Sequence, residues 1–302
     1  MLKRWWVLIG LSVFLFACSE EGPQQGSVNT HSLADPTTIK IDNLTSLNQV
    51  LSPYQYTFDD WQKGITSVPV LTFSGFTQRW ITLVEKGPVE QKKSAFFRLM
   101  LPLVLIANER ILAERQQIQG SDLSSPDLIA IALKYRVIKD PVDALTEVQK
   151  TQLLKRVNII PPSLALAQAA EESGWGSSRF TLEGNAFFGQ WDFSGKGMKP
   201  KQQRQGLGNY GVARFKTPLA SVQGYMLNIN ISHAYQQLRD VRANLLKQDK
   251  QVSGHALAET LINYSERGKD YVASLQHLID YNVLHHTDQS FLADNDPIYL
   301  VF

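Results

Sequence analysis

The chain of 302 residues has a single cysteine, Cys18. No disulfide can form within it, so its core and hydrogen bonds must hold the fold. Acid is missing from a long central stretch: between Asp192 and Asp240 there is no Asp or Glu. Charge bias is missing as well. Lys and Arg number 30 and Asp and Glu 28, a net of +2. That excludes the basic field expected of a nucleic-acid binder. The six histidines form no His-Glu-x-x-His and have no cysteine partner, so a zinc site is not expected. Asp294-Asn295-Asp296 lacks the glycine and terminal glutamate of a calcium loop. There is no glycine-rich phosphate loop after a strand and no serine nucleophile elbow. Neither a cofactor nor a metal is expected.

Long apolar runs are also scarce. Trp5 to Ala17 is free of charge and follows Lys3 and Arg4, but it has only 13 residues. A membrane-spanning helix needs about 20. The pattern reads as an export signal over 1–17. The run ends Leu15-Phe16-Ala17-Cys18, which resembles the lipobox of bacterial lipoproteins, with Cys18 as the lipidated residue. Ser19, not Asp, follows. By analogy with enteric lipoproteins, this points to the outer membrane, facing the periplasm. Phe96 to Ala107 is apolar too, but Arg98 and Pro102 interrupt it, and a buried helix kinked near Pro102 fits better than a span.

Residues 18–55 are rich in Ser, Thr, Asn, Gln, Gly and Pro, and read as a flexible tether. Residues 56–140 read as a helical extension, and 141–302 as a second domain. Helices are expected over 125–135 and 145–157, and again from Pro162, which can occupy a first helical turn. From Phe187 to Phe215, glycines punctuate aromatics and the basic residues Lys196, Lys199, Lys201, Arg204 and Arg214. This predicts a small β-rich lobe at about 187–215, suited to an anionic polymer or else a solvated face. After Thr217-Pro218 the helical pattern resumes to the end of "DYVASLQHLIDYN".

The chemistry gathers in "LALAQAAEESGWGSSRF", residues 164–180. Leu164, Ala165, Leu166, Ala167, Ala169 and Ala170 surround this helix with small apolar faces, so it is buried. It ends in two adjacent carboxylates, Glu171 and Glu172. Burial, the negative end of the helix dipole and mutual repulsion all raise the pKa of a carboxylate placed there. A raised carboxyl pKa suits a general acid for glycosidic cleavage. A plain helix end with an incidental Glu pair is the other reading.

"AQAAEESGWGSSRF" followed by "GNAFFGQW" resembles the core signature of bacterial glucosaminidases, glycoside hydrolase family 73, in the lysozyme-like superfamily. "YGVARFKTPLASVQGYMLNI" and "NYSERGKDYVASL" extend the resemblance over roughly residues 88–285. The wording is nearest the Bax-type group of Gram-negative bacteria. The resemblance implies a mainly α (α+β), lysozyme-like helical domain with a small β-rich lobe and an N-terminal helical extension. It implies a monomeric endo-β-N-acetylglucosaminidase acting on peptidoglycan strands, with Glu172, directly before Ser-Gly, as proton donor. A lytic transglycosylase or a non-catalytic peptidoglycan-binding scaffold are the alternatives. Glu171 stands where the family has an apolar or small residue and is expected to point to solvent. Tyr264 matches the first of the family's late tyrosines, with a catalytic role, and Tyr271 the second; a core role for both stays open. Asn185, Phe188, Gln190 and Trp191 are expected to line the sugar cleft, with Glu266 and Tyr271 as further substrate contacts. Gly189 reads as a tight turn. With so little acid in the lobe, only Asp192 could serve from it. A single-acid mechanism, with the substrate's own N-acetyl group as nucleophile, follows.

Overall fold

A computed structural model of the protein describes residues 35–200, 210–262 and 264–302. The expected signal peptide, Cys18 and the first part of the expected tether lie outside these residues. The described chain opens with β1 (Thr37–Lys40), α1 (Leu44–Leu51), α2 (Phe58–Gln62), β2 (Ser67–Val68) and β3 (Leu71–Phe73). Helices α3 (Gln78–Glu85), α4 (Val89–Gly120), α5 (Pro126–Lys134), α6 (Glu147–Arg156), α7 (Pro162–Ser173) and α8 (Arg179–Gly184) follow. A short antiparallel pair, β4 (Trp191–Asp192) and β5 (Gly211–Val212), interrupts them. The chain then forms α9 (Pro218–Ile231), α10 (Gln236–Lys247), α11 (Gly254–Ala258) and α12 (Lys269–Tyr281), and closes with β6 (Phe291–Leu292) and β7 (Ile298–Val301). The architecture is mainly α, a lysozyme-like α+β arrangement.

The two ends of the described chain meet in a sheet of order β1-β7-β3, all parallel. The C-terminal strand lies between two N-terminal ones. One hydrophobic core runs from Ile41 to Leu300. The extension and the following domain therefore share a core, and the extension is not purely helical. The expected tether over 18–55 is too long, because residues 37–55 are folded. Leu47 and Leu51 are fully buried on α1. A second cause is Arg98, almost fully buried on α4. Its guanidinium donates to Asn48 Oδ1 at 2.9 Å and to the Tyr56 carbonyl at 3.1 Å. A buried cation has to find acceptors, and here the N-terminal segment supplies two of them. Burial lowers the Arg98 pKa to about 10.

Helix α4 runs unbroken through Pro102 and packs on α7 and α9. Among the described residues no helix is long and apolar enough to cross a membrane. Helix α7 is enclosed by α4, α11 and α12. This enclosure is why it is apolar all round: Leu164 and Leu166 have no exposed surface, and each contributes about 2 kcal/mol by burial. Its N-terminus is capped from afar. Asp288 accepts from Ser163 N–H and Oγ, both at 2.8 Å, and from Gly254 N–H at 2.9 Å. A carboxylate at a helix N-terminus satisfies free amides and opposes the dipole. The β lobe has its own small core of Ala186, Met198 and Val212.

Candidate active site

The segment after α7 is an unusual backbone. Gly174, Trp175 and Gly176 are all left-handed, with φ of 57°, 58° and 81°. Ser173, fully buried, locks this turn: its Oγ donates to Ala169 C=O at 2.6 Å and accepts from Gly176 N–H at 2.8 Å. The Trp175 ring packs edge-on against Phe96 and Phe97, with Lys93 Nζ 5.2 Å above it. Those contacts offset the cost of a left-handed non-glycine residue. Gly176 has a second reason to be glycine, since a Cβ there would lie 2.4 Å from the Phe76 ring. Each residue of Glu-Ser-Gly-Trp-Gly after the glutamate thus fixes where α7 stops. It thereby fixes where Glu172 stands.

Glu172 is half-buried. Tyr271, from α12, donates its hydroxyl proton to Glu172 Oε1 at 2.9 Å. Gly189 lies beside the other oxygen: a Cβ there would sit 3.6 Å from Oε2, and φ is +59°. A side chain at 189 would rest against that oxygen. Burial raises the Glu172 pKa, the Tyr271 hydrogen bond lowers it, the neighbouring Glu171 raises it and Arg267 lowers it; the net direction is upward. A half-buried carboxyl with a raised pKa can hold a proton and deliver it to a glycosidic oxygen.

Glu171 is not simply solvated. Arg267, in the turn before α12, pairs with its Oε1 at 2.6 Å. Adjacent helix positions diverge, and this partner holds the second carboxylate away from Glu172. Tyr264 does not touch Glu172 through a described hydrogen bond. Its hydroxyl donates to Phe188 C=O at 3.3 Å and its ring stacks on Tyr271 at 5.1 Å. The tyrosine at the acid is therefore Tyr271. Tyr264 supports it from behind.

The other expected sugar contacts divide. Phe188 is 1% exposed and stacks face to face on Tyr225 at 3.9 Å, so no pyranose can cover it. Asn185 ends α8 in a left-handed conformation, and its Nδ2 donates to the Phe215 and Lys216 carbonyls. It closes a turn in place of the sugar contact expected. Gln190 places Nε2 against Gly224 of α9, and its Oε1 is buried without a hydrogen-bond partner. Trp191 is 49% exposed and stacks on Tyr210, with the more exposed Phe193 edge-on beside it. These rings form an open aromatic surface on the lobe that can receive a sugar face. Asp192 accepts from Ser194 N–H at 2.7 Å, and its hydrogen bonds with Ser194 hold its pKa below the usual range. Glu266 is exposed on the turn that follows Tyr264.

Four residues that the sequence did not flag surround the acid or the platform. Gln168 is fully buried one turn before Glu172, and its position four residues back on the same face was a readable signal. Tyr225 comes from α9. Tyr235 tilts against Tyr264 at 6.0 Å. Burial and then the Glu172 charge raise the Tyr235 pKa. Phe193 widens the aromatic surface. No local pattern marks the last three.

Residues 149–284 match the family described as Glucosaminidase, mannosyl-glycoprotein endo-beta-N-acetylglucosaminidase. That range contains α7, the lobe and α12, and with them Glu172, Tyr271 and the aromatic surface. Over this range the chain is similar to glucosaminidase domains, and it also resembles a Bax-type protein. Protein bax of Escherichia coli (strain K12) is 34% identical over 187 residues. The match covers 60% of this chain and 66% of that protein, just under two thirds of the relative's length. No solved structure matches the chain at a significant level. The glucosaminidase match supports a glycosidase-type function for the site around Glu172.

Proposed function

We propose that the protein is a peptidoglycan hydrolase that cleaves the β-1,4 bond after N-acetylglucosamine, with Glu172 as its single protein acid. One observation carries this reading: Glu172 has a raised pKa, one oxygen held by Tyr271 and the other beside Gly189. The glucosaminidase match supports the substrate class. Glu172 protonates the leaving O4 as the C1–O4 bond breaks. The carbonyl oxygen of the substrate's acetamido group bonds to C1 and gives an oxazolinium. Water then attacks C1, the Glu172 carboxylate takes its proton, and the acetamide reopens. Asp192, engaged by Ser194 on a surface turn, takes no part. The Trp191 and Phe193 surface holds a sugar of the strand. Digestion of purified sacculi tests this reading. Soluble muropeptides should appear, and binding without release would favour a scaffold protein.

The second part of the proposal is location. Cys18 carries the lipid anchor, which places the domain at the periplasmic face of the outer membrane. The sequence motif Leu-Phe-Ala-Cys supports it. Cells fed a clickable palmitate analogue should label the wild type and not Cys18→Ala. Equal labelling of the two would refute the anchor.

A further inference from the structure

Behind Glu172 lies a buried line of polar groups that the proposed reaction does not yet use. Phe188 covers the Tyr225 ring, and both are buried. Tyr225 donates its hydroxyl proton to Gln168 Oε1 at 2.6 Å. Gln168 Nε2 donates to Tyr271 Oη at 3.1 Å. Tyr271 donates to Glu172 Oε1 at 2.9 Å. Every donor points the same way along this line.

We infer that Gln168 and Tyr225 are positioning residues that act through Tyr271 to keep the transferable proton of Glu172 on Oε2. This rests on Glu172 being the acid. A tyrosine hydroxyl has one proton, and an amide nitrogen can only donate. Among the described residues the buried Tyr225 hydroxyl has Gln168 as its hydrogen-bond partner, and its proton needs an acceptor, so the Gln168 oxygen faces Tyr225 and the nitrogen faces Tyr271. The Tyr271 oxygen is then an acceptor on that side, and its own proton goes to Glu172 Oε1. One hydrogen bond holds one proton, so the acid proton of Glu172 cannot lie between Oε1 and Tyr271. It lies on Oε2, the oxygen beside Gly189. Without the relay, protonated Glu172 could donate backwards to Tyr271. That would stabilise the acid form and aim its proton away from the substrate. Gln168 has no exposed surface, so solvent cannot take its place in the line.

The other groups facing Glu172 are fixed in this comparison. Glu171 and its partner Arg267 carry the nearby charges. The phenols of Tyr225, Tyr235, Tyr264 and Tyr271 all sense the Glu172 charge, and burial raises each of them first. Among the described residues, Gln168 is the group that donates a hydrogen bond to the Tyr271 oxygen.

The test is a carboxyl-carbon NMR titration of the full chain labelled at glutamate, with the Glu172 signal assigned by its loss in Glu172→Gln. Gln168→Met should raise the Glu172 midpoint by about half a pH unit or more. Tyr271→Phe should raise it too. Adding Gln168→Met to Tyr271→Phe should give no further shift, because the relay is already cut. On sacculi, Gln168→Met should lower kcat about tenfold with little change in KM, as expected for an interaction made in the transition state. An unmoved midpoint in folded Gln168→Met would overturn the relay. So would an equal shift in the Tyr271→Phe background. If Gln168→Met does not fold, Tyr225→Phe supports the same two comparisons, since it removes one oxygen and leaves the ring on Phe188. The titration uses no substrate. A wild type inactive on sacculi would sink the hydrolase reading and leave the relay standing.

Discussion

Glu172→Gln should abolish sugar release from sacculi, by about a hundredfold to ten-thousandfold, the range a general acid contributes. The amide keeps the shape of the side chain, and its carbonyl can still accept from Tyr271. It has no proton to give. Stability should move the other way or not at all. The folded-state pKa of Glu172 is raised, mainly by burial. The folded protein therefore holds the proton more tightly than the unfolded chain does. Stability falls as pH rises from the unfolded range through the folded pKa, and the penalty is then constant. Gln carries no such penalty, so the melting temperature near neutral pH should equal or exceed that of the wild type. Parallel assays of activity and thermal unfolding check this. An active Glu172→Gln, or a dead one that has lost its fold, would contradict the assignment.

Substrate stripped of its N-acetyl groups should resist cleavage, by about a thousandfold or more, because an intramolecular nucleophile carries a large effective molarity. It should still bind, since the aromatic surface at Trp191 and Phe193 recognises ring faces rather than the acetamide. The intact substrate should give a product of retained anomeric configuration, because two inversions occur at C1. The motivating fact is the lobe. Its one carboxylate, Asp192, is engaged by Ser194, and no other Asp or Glu follows until Asp240. Asp240 in turn pairs with Lys155 on α6. Asp192→Asn should accordingly keep substantial activity. An inverted product in an NMR time course, or a folded but inactive Asp192→Asn, would make Asp192 the second carboxylate.

What could be read in advance was local. The all-round apolar pattern of α7, the prolines that open it and the glycines that close it are short-range features. So is the position of Glu172 at its end. The helices α5, α6, α9 and α12 also follow from periodicity. What could not be read was set by distant partners. Strand β7 pairs with β1 and β3 across most of the chain, and no window of sequence contains both sides. The folding of residues 37–55 depends on Arg98 reaching Asn48 and Tyr56. Phe188 and Asn185 have the residue types of sugar contacts, but Tyr225 and the Phe215 carbonyl claimed them for packing and turn closure. Glu171 found Arg267, which lies 96 residues away. The choice between Tyr264 and Tyr271 at the acid rests on how α12 docks on α7. That is a tertiary fact.

The most direct test of the central claim is the chemistry of the new chain ends. Wild-type protein should be incubated with purified sacculi, and the soluble fragments reduced with borohydride and weighed by mass spectrometry. The account predicts fragments ending in reducing N-acetylglucosamine, each heavier by one water than the uncut linkage and labelled by the reduction. Fragments ending in non-reducible 1,6-anhydro muramyl sugars would contradict it, because the muramyl hydroxyl would then have replaced water and the bond cut would be the other one.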